Sequence, residues 1–579
     1  MDRRSMNPYL TVIFWAALVV LVSIGLILKD NHRRKTYALR RVRRTYGNVP
    51  EREYEAGDLE QISRYFQRKK EKGFVIDDIT WNDLDMDHIY MLVNQTMSSP
   101  GEDVLYNMMR TPFFEKEEQE RRDALIGFFA AHQEEREKLQ VMLSAVGKTS
   151  RGSLSDTVLS LNEAPKASPF MHGVMAVLLL LTLLVLLPVS PLHGFLAFFI
   201  LSMFNISYYF ACKDRKLVES YLVCFGSLLR MLSVADELEA VKWPETKKQM
   251  DAIREGKKAF ASFRKKAVFL TSKNEMSGDP LQIVMEYVRM VFHVDILTYN
   301  PVLREVRDKT DKIMDMLDNI GELDAAISIA SFREMLSLTC RPEFVPYEGG
   351  PVEMDVTDLY HPLICEPVAN SISAKGGILV TGSNASGKST FLKNIAINAI
   401  LAQTIGTCVC SSYRAPFFRV LTSMALRDDL SEGDSYFIVE IKSMKRILDE
   451  SQKNVPMLCI IDEVLRGTNT IERIAASSRI LGSLVKEYVL AFAATHDIEL
   501  TYILEGVYTN YHFEEEVREH EVVFNYLLQE GRAKSRNAIR LLGMLEYDAK
   551  LVEEAQKAAG DFEKTGVWKR LLERKEELC

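Results

Sequence analysis

The chain has 579 residues, of which 47% are hydrophobic, so it is long enough for several domains and apolar enough to bury a large core. Its formal net charge of -8 argues against a generally basic nucleic-acid binder, although it leaves room for a local basic patch. The eight cysteines are scattered: Cys408 and Cys410 have the wrong spacing for a zinc knuckle and lack a partner pair, which favours reduced, buried thiols in a cytosolic protein.

The first predicted element is a membrane anchor within residues 1–28. Residues 9–28 carry no charge and are numerous enough to span a bilayer. A signal peptide is the alternative, but that class has a shorter apolar region and a small-residue cleavage site, so we favour an uncleaved anchor. Lys and Arg are far more frequent after this stretch than before it, which places the following chain in the cytoplasm.

Residues 29–168 are predicted to form a basic juxtamembrane segment and a helical core. The basic run at 33–44 suits attraction to anionic lipid headgroups, and contact with DNA phosphates is the alternative. Apolar residues then recur at helical intervals, for example at 84–93 and at 125–129. We interpret these stripes as core packing.

Residues 169–212 are predicted to form a transmembrane helical hairpin. The apolar block is interrupted near its middle by Pro188, Pro191 and Gly194, and each half is long enough to cross a bilayer. Basic residues flank the block and are absent from its turn, so both ends are expected on the cytoplasmic side. With the anchor this gives three spans. A buried helical pair in a soluble core is the alternative.

Residues 213–348 are predicted to be helical and heavily charged. The segment 304–322 holds apolar residues at helical spacing among charges, which predicts one long amphipathic helix. Gly349, Gly350 and Pro351 mark a boundary, because this combination favours a turn. A further domain is therefore expected over residues 349–579.

A phosphate-binding loop is the most informative motif of this last domain. It follows the pattern G-x-x-x-x-G-K-[ST] and consists of Gly382, Ser383, Asn384, Ala385, Ser386, Gly387, Lys388 and Ser389, with Thr390 next in the chain. Its glycines let backbone N–H groups converge on one anion, its lysine can reach the outer phosphates, and its last hydroxyl can bind Mg²⁺. An apolar run before it predicts a buried strand, and the spacing after it predicts a helix whose N-terminus faces the phosphate.

Two further strand ends carry candidate catalytic groups. The apolar run at 457–461 ends in Asp462, which can hold Mg²⁺, and Glu463, which can orient and deprotonate the attacking water. Another predicted strand, at 489–494, is followed by His496, which can sense the γ-phosphate. A lone histidine is more often structural, so His496 counts only together with the acidic pair and the loop.

Four segments in this order resemble the MutS mismatch-repair ATPases, a branch of the ABC-type nucleotide-binding fold. They are the loop with its internal Asn384, the segment 428–440, which is similar to the family's signature segment, the acidic pair with the residues 466–470 that follow, and the segment 494–500, which is similar to the switch-histidine stretch. The expected fold is an α/β ABC-type P-loop ATPase domain at the C-terminus. An all-α core and lever region with transmembrane helices precedes it.

The resemblance implies a homodimer that uses ATP and Mg²⁺ in a composite site. Ser435 of one subunit would complete the phosphate site of the other, beside Lys388, Glu463 and His496; outside the family pattern it would be an ordinary loop or cap serine. Tyr526 falls where an aromatic ring stacks on adenine, and a core or strand tyrosine is an equally good interpretation. The ATPase domain of the resulting multi-pass cell-membrane protein would lie in the cytoplasm.

The departures from the family limit the functional interpretation. There is no room before the helical core for the mismatch-reading domain, and neither a clamp domain in 213–340 nor a nuclease-like extension is recognisable. The resemblance therefore supports ATP hydrolysis more strongly than mismatch repair, and it leaves both DNA binding and the effector open. An ABC-type transporter and a membrane scaffold that binds ATP without hydrolysing it are the alternatives. Three spans instead of a six-helix set argue against the first, and the intact Lys388, Asp462 and Glu463 argue against the second.

Overall fold

The chain forms two compact units. The computed structural model describes residues 18, 25, 29–30, 32–69, 73–148, 153–267, 280–383, 386–424, 436–465, 468–517, 522–533, 539, 542 and 547–569. The helical unit consists of Met1–Val75 and Asp87–Ser337, and the sheet unit consists of Ile76–Met86 and Leu338–Cys579. The predicted anchor at 9–28 lies outside the described residues apart from Leu18 and Gly25.

The helices before the first strand account for nearly all of the regular structure in the first half of the chain. They are α1 (32–45), α2 (Asp58–Lys69), α3 (Asp78–Asp83), α4 (Met86–Val93), α5 (Ser99–Arg110), α6 (Lys116–Ala131), α7 (Gln133–Val146), α8 (Leu154–Ser160), α9 (Pro169–Val189), α10 (Pro191–Ala211), α11 (Lys213–Glu239), α12 (Lys247–Ala259), α13 (Ala261–Ala267), α14 (Pro280–Phe292), α15 (Val294–Arg307) and α16 (Thr310–Met335). The predicted all-α character of these regions is confirmed.

The predicted continuous helix over 304–322 is wrong, because the helical conformation is interrupted between α15, which ends at Arg307, and α16, which begins at Thr310. Lys309 has a non-helical backbone, with φ -132° and ψ 19°. Its ammonium donates hydrogen bonds to the carbonyl of Ala259 at 2.5 Å and to Glu305 at 3.2 Å. The bond to Ala259 joins the turn at Lys309 to the end of α12, which is distant in sequence, so the local periodicity could not predict it.

Helix α16 forms the centre of the helical unit. Gly321 lets α5 approach closely, since a Cβ there would lie 2.5 Å from the carbonyl oxygen of Pro100. One turn further on, the buried carboxylate of Asp324 accepts hydrogen bonds from the backbone N–H groups of Met97 and Ser98, at 3.0 and 2.8 Å, and from the Ser98 hydroxyl at 2.6 Å. These bonds satisfy a charge that would otherwise be costly to bury.

Helices α9 and α10 form the apolar hairpin that the sequence predicts. Both are long and apolar enough to cross a membrane, as is α11, by length and composition alone. The first two leave large apolar side chains such as Leu184 and Phe195 about two-thirds exposed, whereas α11 is mostly buried. Gly194 permits the close approach of the two helices, because the backbone of Leu187 lies where a Cβ would be.

The described residues of the sheet unit form two sheets. The strands are β1 (Glu343–Phe344), β2 (Glu353–Leu359), β3 (Asn370–Lys375), β4 (Gly377–Thr381), β5 (Ser412–Ala415), β6 (Arg419–Ser423), β7 (Met457–Asp462), β8 (Val489–Ala494), β9 (Tyr508–Val517) and β10 (Val522–Glu530). The main sheet has the order β10-β9-β4-β8-β7-β6 and is parallel except for the β9–β10 pair. The smaller sheet has the order β1-β5-β2-β3.

The described helices that follow the first strand in the sheet unit are α17 (Lys388–Ile405), α18 (Tyr436–Glu450), α19 (Thr470–Ser483), α20 (Ile498–Ile503) and α21 (Ala549–Thr565). The central strands β4, β7 and β8 are buried along their whole length. Their carboxyl ends meet at one edge of the sheet, because they run parallel. The strands predicted before the loop, before Asp462 and before His496 are all confirmed.

Residues 76–86 belong to the sheet unit although they lie among helices of the other unit in sequence. The Asp83 carboxylate accepts hydrogen bonds from the Thr422 hydroxyl at 2.6 Å and from the Met424 N–H at 3.0 Å. The Thr422 N–H in turn donates to the Thr80 hydroxyl. Through these bonds α3 holds the end of β6, just before the segment 425–435.

Candidate nucleotide-binding site

The phosphate loop joins β4 to α17, as its pattern predicts. Gly382 and Gly387 have positive φ angles of 141° and 100°, which side chains other than hydrogen rarely allow. A Cβ on Gly382 would also lie 2.8 Å from the carbonyl oxygen of Phe513 and from the Ser386 hydroxyl. The backbone can therefore follow this path only with glycine at position 382. Residues 384 and 385, predicted to contact phosphate, lie outside the described residues.

Lys388 begins α17 and folds back over the loop. Its side chain is buried, and its ammonium donates hydrogen bonds of 2.7 Å to the carbonyl oxygens of Gly382 and Ser383. The Ser386 hydroxyl donates to the same Ser383 carbonyl at 2.7 Å. The loop thus holds a positive charge at the N-terminus of an eighteen-residue helix, where an anion is favoured by the helix dipole.

Ser389 and Asp462 meet across the carboxyl edge of the sheet. The Ser389 hydroxyl donates a hydrogen bond of 2.6 Å to Asp462 Oδ2. One group comes from the first turn of α17 and the other from the last residue of β7. Both are oxygen donors of the kind that Mg²⁺ takes from proteins, so this pair fits the predicted magnesium position.

Glu463 and His496 lie together beside this pair. His496 Nε2 is 2.8 Å from Glu463 Oε1, and both side chains are partly exposed. Glu463 has a left-handed backbone, with φ 62°, and its N–H donates to the Ala494 carbonyl of β8 at 3.0 Å. The strained turn directs the carboxylate toward the histidine, and such conformations concentrate at functional sites.

Tyr526 of β10 lies against Gly387 of the phosphate loop. A Cβ on Gly387 would be 3.1 Å from the Tyr526 ring, which is 43% exposed. The tyrosine occupies an irregular position in β10, with φ 55°, and its carbonyl accepts a hydrogen bond of 3.0 Å from the Asn370 amide. A half-exposed ring beside the loop suits contact with a base, which remains a prediction. Thr390 is half-buried in the first turn of α17.

Ser435 lies outside the described residues, as does the segment 425–435 that contains it and as do residues 466–467. Its assignment to the partner's phosphate site therefore stays a prediction. The described part of the site brings together the phosphate loop, Asp462, Glu463, His496 and Tyr526.

Two acidic residues of the site had no role in the sequence prediction. Glu515 of β9 accepts a hydrogen bond from the Ser383 hydroxyl of the loop. The buried Glu440 of α18 accepts from the Leu465 N–H at 2.5 Å, just after the acidic pair. Both contacts join elements that are distant in sequence. No local signal identifies Glu515, whereas Glu440 is the last residue of the segment that resembles the family signature.

Three of the described cysteines, all of them free thiols, lie close together. Cys340 lies beside Cys408 and Cys410, with its sulfur 3.5 Å from that of Cys410, and the three sulfurs all lie within 4.8 Å of one another. The sequence spacing did not indicate this group, because Cys340 is far from the other two along the chain.

Comparison with known proteins identifies relatives of this site. A family model described as MutS domain V matches residues 378–563. The DNA mismatch repair protein MutS of Aquifex pyrophilus is 31% identical over 277 residues, which cover 45% of this chain and 31% of the relative. The same-named protein of Bacillus pumilus is 30% identical over 297 residues, covering 48% and 33%. MutS protein homolog 4 of Homo sapiens is 30% identical over 273 residues, covering 44% and 28%.

The chain spans about a third of the length of the curated relatives it matches. These likenesses support a MutS-like C-terminal region, which matches MutS domain V over residues 378–563 and is preceded by a mainly helical region.

Proposed function

We propose that this chain is a membrane-anchored, MutS-like ATPase that hydrolyses Mg·ATP at sites shared between two copies of itself. The 2.6 Å bond between Ser389 and Asp462, at the end of a phosphate loop, is the observation that carries the proposal. The match to MutS domain V supports the same activity.

The loop would bind the triphosphate by exchanging its own internal contacts for contacts with the nucleotide. The Lys388 ammonium, which now donates to two loop carbonyls, would turn toward the β- and γ-phosphates. Mg²⁺, held by Ser389 and Asp462, would neutralise charge on the transferred phosphoryl group. Tyr526, beside Gly387, would cover the base.

Glu463 would act on the attacking water. Its carboxylate is partly exposed and hydrogen-bonded to His496, so it can accept a proton while the imidazole holds its orientation. His496 would in turn respond to the γ-phosphate, and loss of that phosphate would release the pair. Glu463 would then supply a base and His496 a sensor from the ends of two adjacent parallel strands.

The composite site requires a second copy of the chain. Ser435 would reach across the dimer to the phosphates held by the partner's loop, so that ATP closes the interface and hydrolysis opens it. Helices of the helical unit would transmit this movement to DNA, to a protein effector or to the membrane segments. The basic run at 33–44 and the hairpin of α9 and α10 would keep the assembly at the membrane.

Mixing two inactive variants of the full-length protein tests the shared site. Lys388→Ala disables the loop, and Ser435→Ala disables the signature segment. A mixed dimer contains one site in which both are broken and one in which both are intact. Random pairing should therefore restore about a quarter of the wild-type rate of phosphate release.

The control is a mixture of Lys388→Ala with Glu463→Gln, because both changes affect the same half of each site and cannot complement. If the first mixture stays as inactive as this control while gel filtration shows mixed dimers, the shared site is refuted. DNA coupling is tested separately, by titrating duplex, mismatched and branched DNA at several salt concentrations with and without ATP. A flat response would favour a protein or lipid effector.

A further inference from the structure

Three metal-binding side chains meet where the two ends of the apolar hairpin come together. His172 lies in the first turn of α9, Cys212 directly follows α10, and Asp214 lies in the first turn of α11. His172 Nε2 is 3.5 Å from Cys212 Sγ and 3.8 Å from Asp214 Oδ2. The three donor atoms all lie within 4.8 Å of one another.

A second histidine determines which nitrogen of His172 faces this group. His293 Nε2 is 3.0 Å from the Asn205 carbonyl oxygen, which can only accept, so His293 carries its proton on Nε2. Its Nδ1 is then an acceptor and lies 2.9 Å from His172 Nδ1. His172 must therefore carry its proton on Nδ1, which leaves the Nε2 lone pair directed at Cys212 and Asp214. Both imidazole rings are buried.

This arrangement has the form of a zinc site. Ligand bonds of about 2.0–2.3 Å in tetrahedral geometry separate neighbouring donor atoms by roughly 3.3–3.8 Å, the range in which the two observed distances fall. A metal-bound histidine generally donates its other N–H to an acceptor that fixes its orientation, and His293 provides this. The Ser168 N–H donates a hydrogen bond of 3.2 Å to Asp214 Oδ2. The remaining lone pairs of this carboxylate are available to a cation.

We propose that His172, Cys212 and Asp214 bind one Zn²⁺ ion that fastens the two ends of the hairpin to each other. Cys212 and Asp214 are partly exposed, so water would supply the fourth ligand and the thiol proton would leave to solvent on binding. The site does not depend on ATP hydrolysis, and it would fix the hairpin ends relative to α11, which follows them directly.

Cobalt titration of the full-length protein, purified in mild detergent, stripped with a chelator and kept reduced, tests the site. Co²⁺ in a tetrahedral site with a thiolate ligand gives visible ligand-field bands and a sulfur-to-metal charge-transfer band. Cys212→Ala should lower the cobalt stoichiometry by one per chain relative to wild type, and added Zn²⁺ should displace that ion. Cys224→Ala, which removes a buried thiol of α11 outside the group, should leave the stoichiometry unchanged.

Two further variants distinguish this site from other thiols and from a folding defect. His293→Asn should weaken binding by about 10–100-fold, because asparagine tolerates the left-handed backbone of position 293 and is too short to accept from His172. Cys340→Ala should preserve the ion, since it alters only the thiol group of the sheet unit. The proposal is overturned if Cys212→Ala binds as much cobalt as wild type, or if neither protein binds any.

Discussion

His496 Nε2 lies 2.8 Å from Glu463 Oε1, at the ends of two neighbouring parallel strands. Neither residue is adjacent to the phosphate loop in sequence. The parallel strands β4, β7 and β8 nevertheless bring the loop, Glu463 and His496 to the same edge of the sheet. The pair joins the group that would take a proton from water to the group that would sense the phosphate. A change in this pair is therefore expected to affect hydrolysis without affecting nucleotide binding.

Glu463→Gln should leave ATP bound and stop turnover. The amide oxygen preserves the contact with His496, but the side chain can no longer accept a proton, so kcat should fall by about 10²–10⁴-fold. Equilibrium binding of a fluorescent ATP analogue and phosphate release measure the two effects. Glu499→Gln is the matched control, because this exposed residue lies three positions beyond His496. Unchanged hydrolysis in Glu463→Gln would refute the assigned role.

Gly382→Ala should abolish nucleotide binding. The new methyl group would meet the Phe513 carbonyl and the Ser386 hydroxyl, and φ at this position is 141°. Gly506→Ala is the control, since that glycine also has a positive φ, 83°, but has open space around its Cβ position. ATP-analogue binding should vanish in the first variant and persist in the second. Equal binding by both would show that the tight loop path is not required.

Asp83→Ala should slow hydrolysis although this residue lies outside the nucleotide site. Its removal leaves the buried Thr422 hydroxyl and Met424 N–H without their acceptor, at a cost of about 1–3 kcal/mol each. Because Met424 precedes the segment that contains Ser435, we expect a reduced kcat together with a lower unfolding temperature. Asp83→Asn keeps an acceptor and should restore much of both; an equally slow Asn variant would contradict this explanation.

The stability of the helical unit should fall as the pH rises through the range in which Asp103 titrates. Burial raises the pKa of this carboxyl from 3.8 to about 7, while hydrogen bonds from Ser153 and Ser155 oppose the change. Between these values the native state keeps a proton that the unfolded state has lost. The resulting stabilisation is therefore fully present below pH 3.8 and is lost as the pH approaches 7.

Asp103→Asn should remove this part of the pH dependence, because the amide stays neutral and can still accept both hydrogen bonds. Thermal unfolding of the full-length protein, followed by circular dichroism from pH 4 to pH 8, measures the difference between the two proteins. A constant offset at every pH would show that Asp103 does not titrate in this range.

Local patterns predicted the parts of the site that are contiguous in sequence. The strand, loop and helix around Lys388 follow from glycine placement and hydrophobic spacing, and Asp462 follows from its position at a strand end. The contacts of Ser383 with Glu515 and of His172 with Cys212 were not predicted. Each joins residues separated by many positions, and only tertiary packing determines which of the many candidate pairs meet.

The inclusion of residues 76–86 in the sheet unit means that the polypeptide passes between the two units three times, after Val75, Met86 and Ser337. A fragment that starts at Leu338 would lack α3, and the buried end of β6 would lose the carboxylate that holds it. The sheet unit is therefore not an autonomous module that could be excised or exchanged as one continuous stretch of sequence.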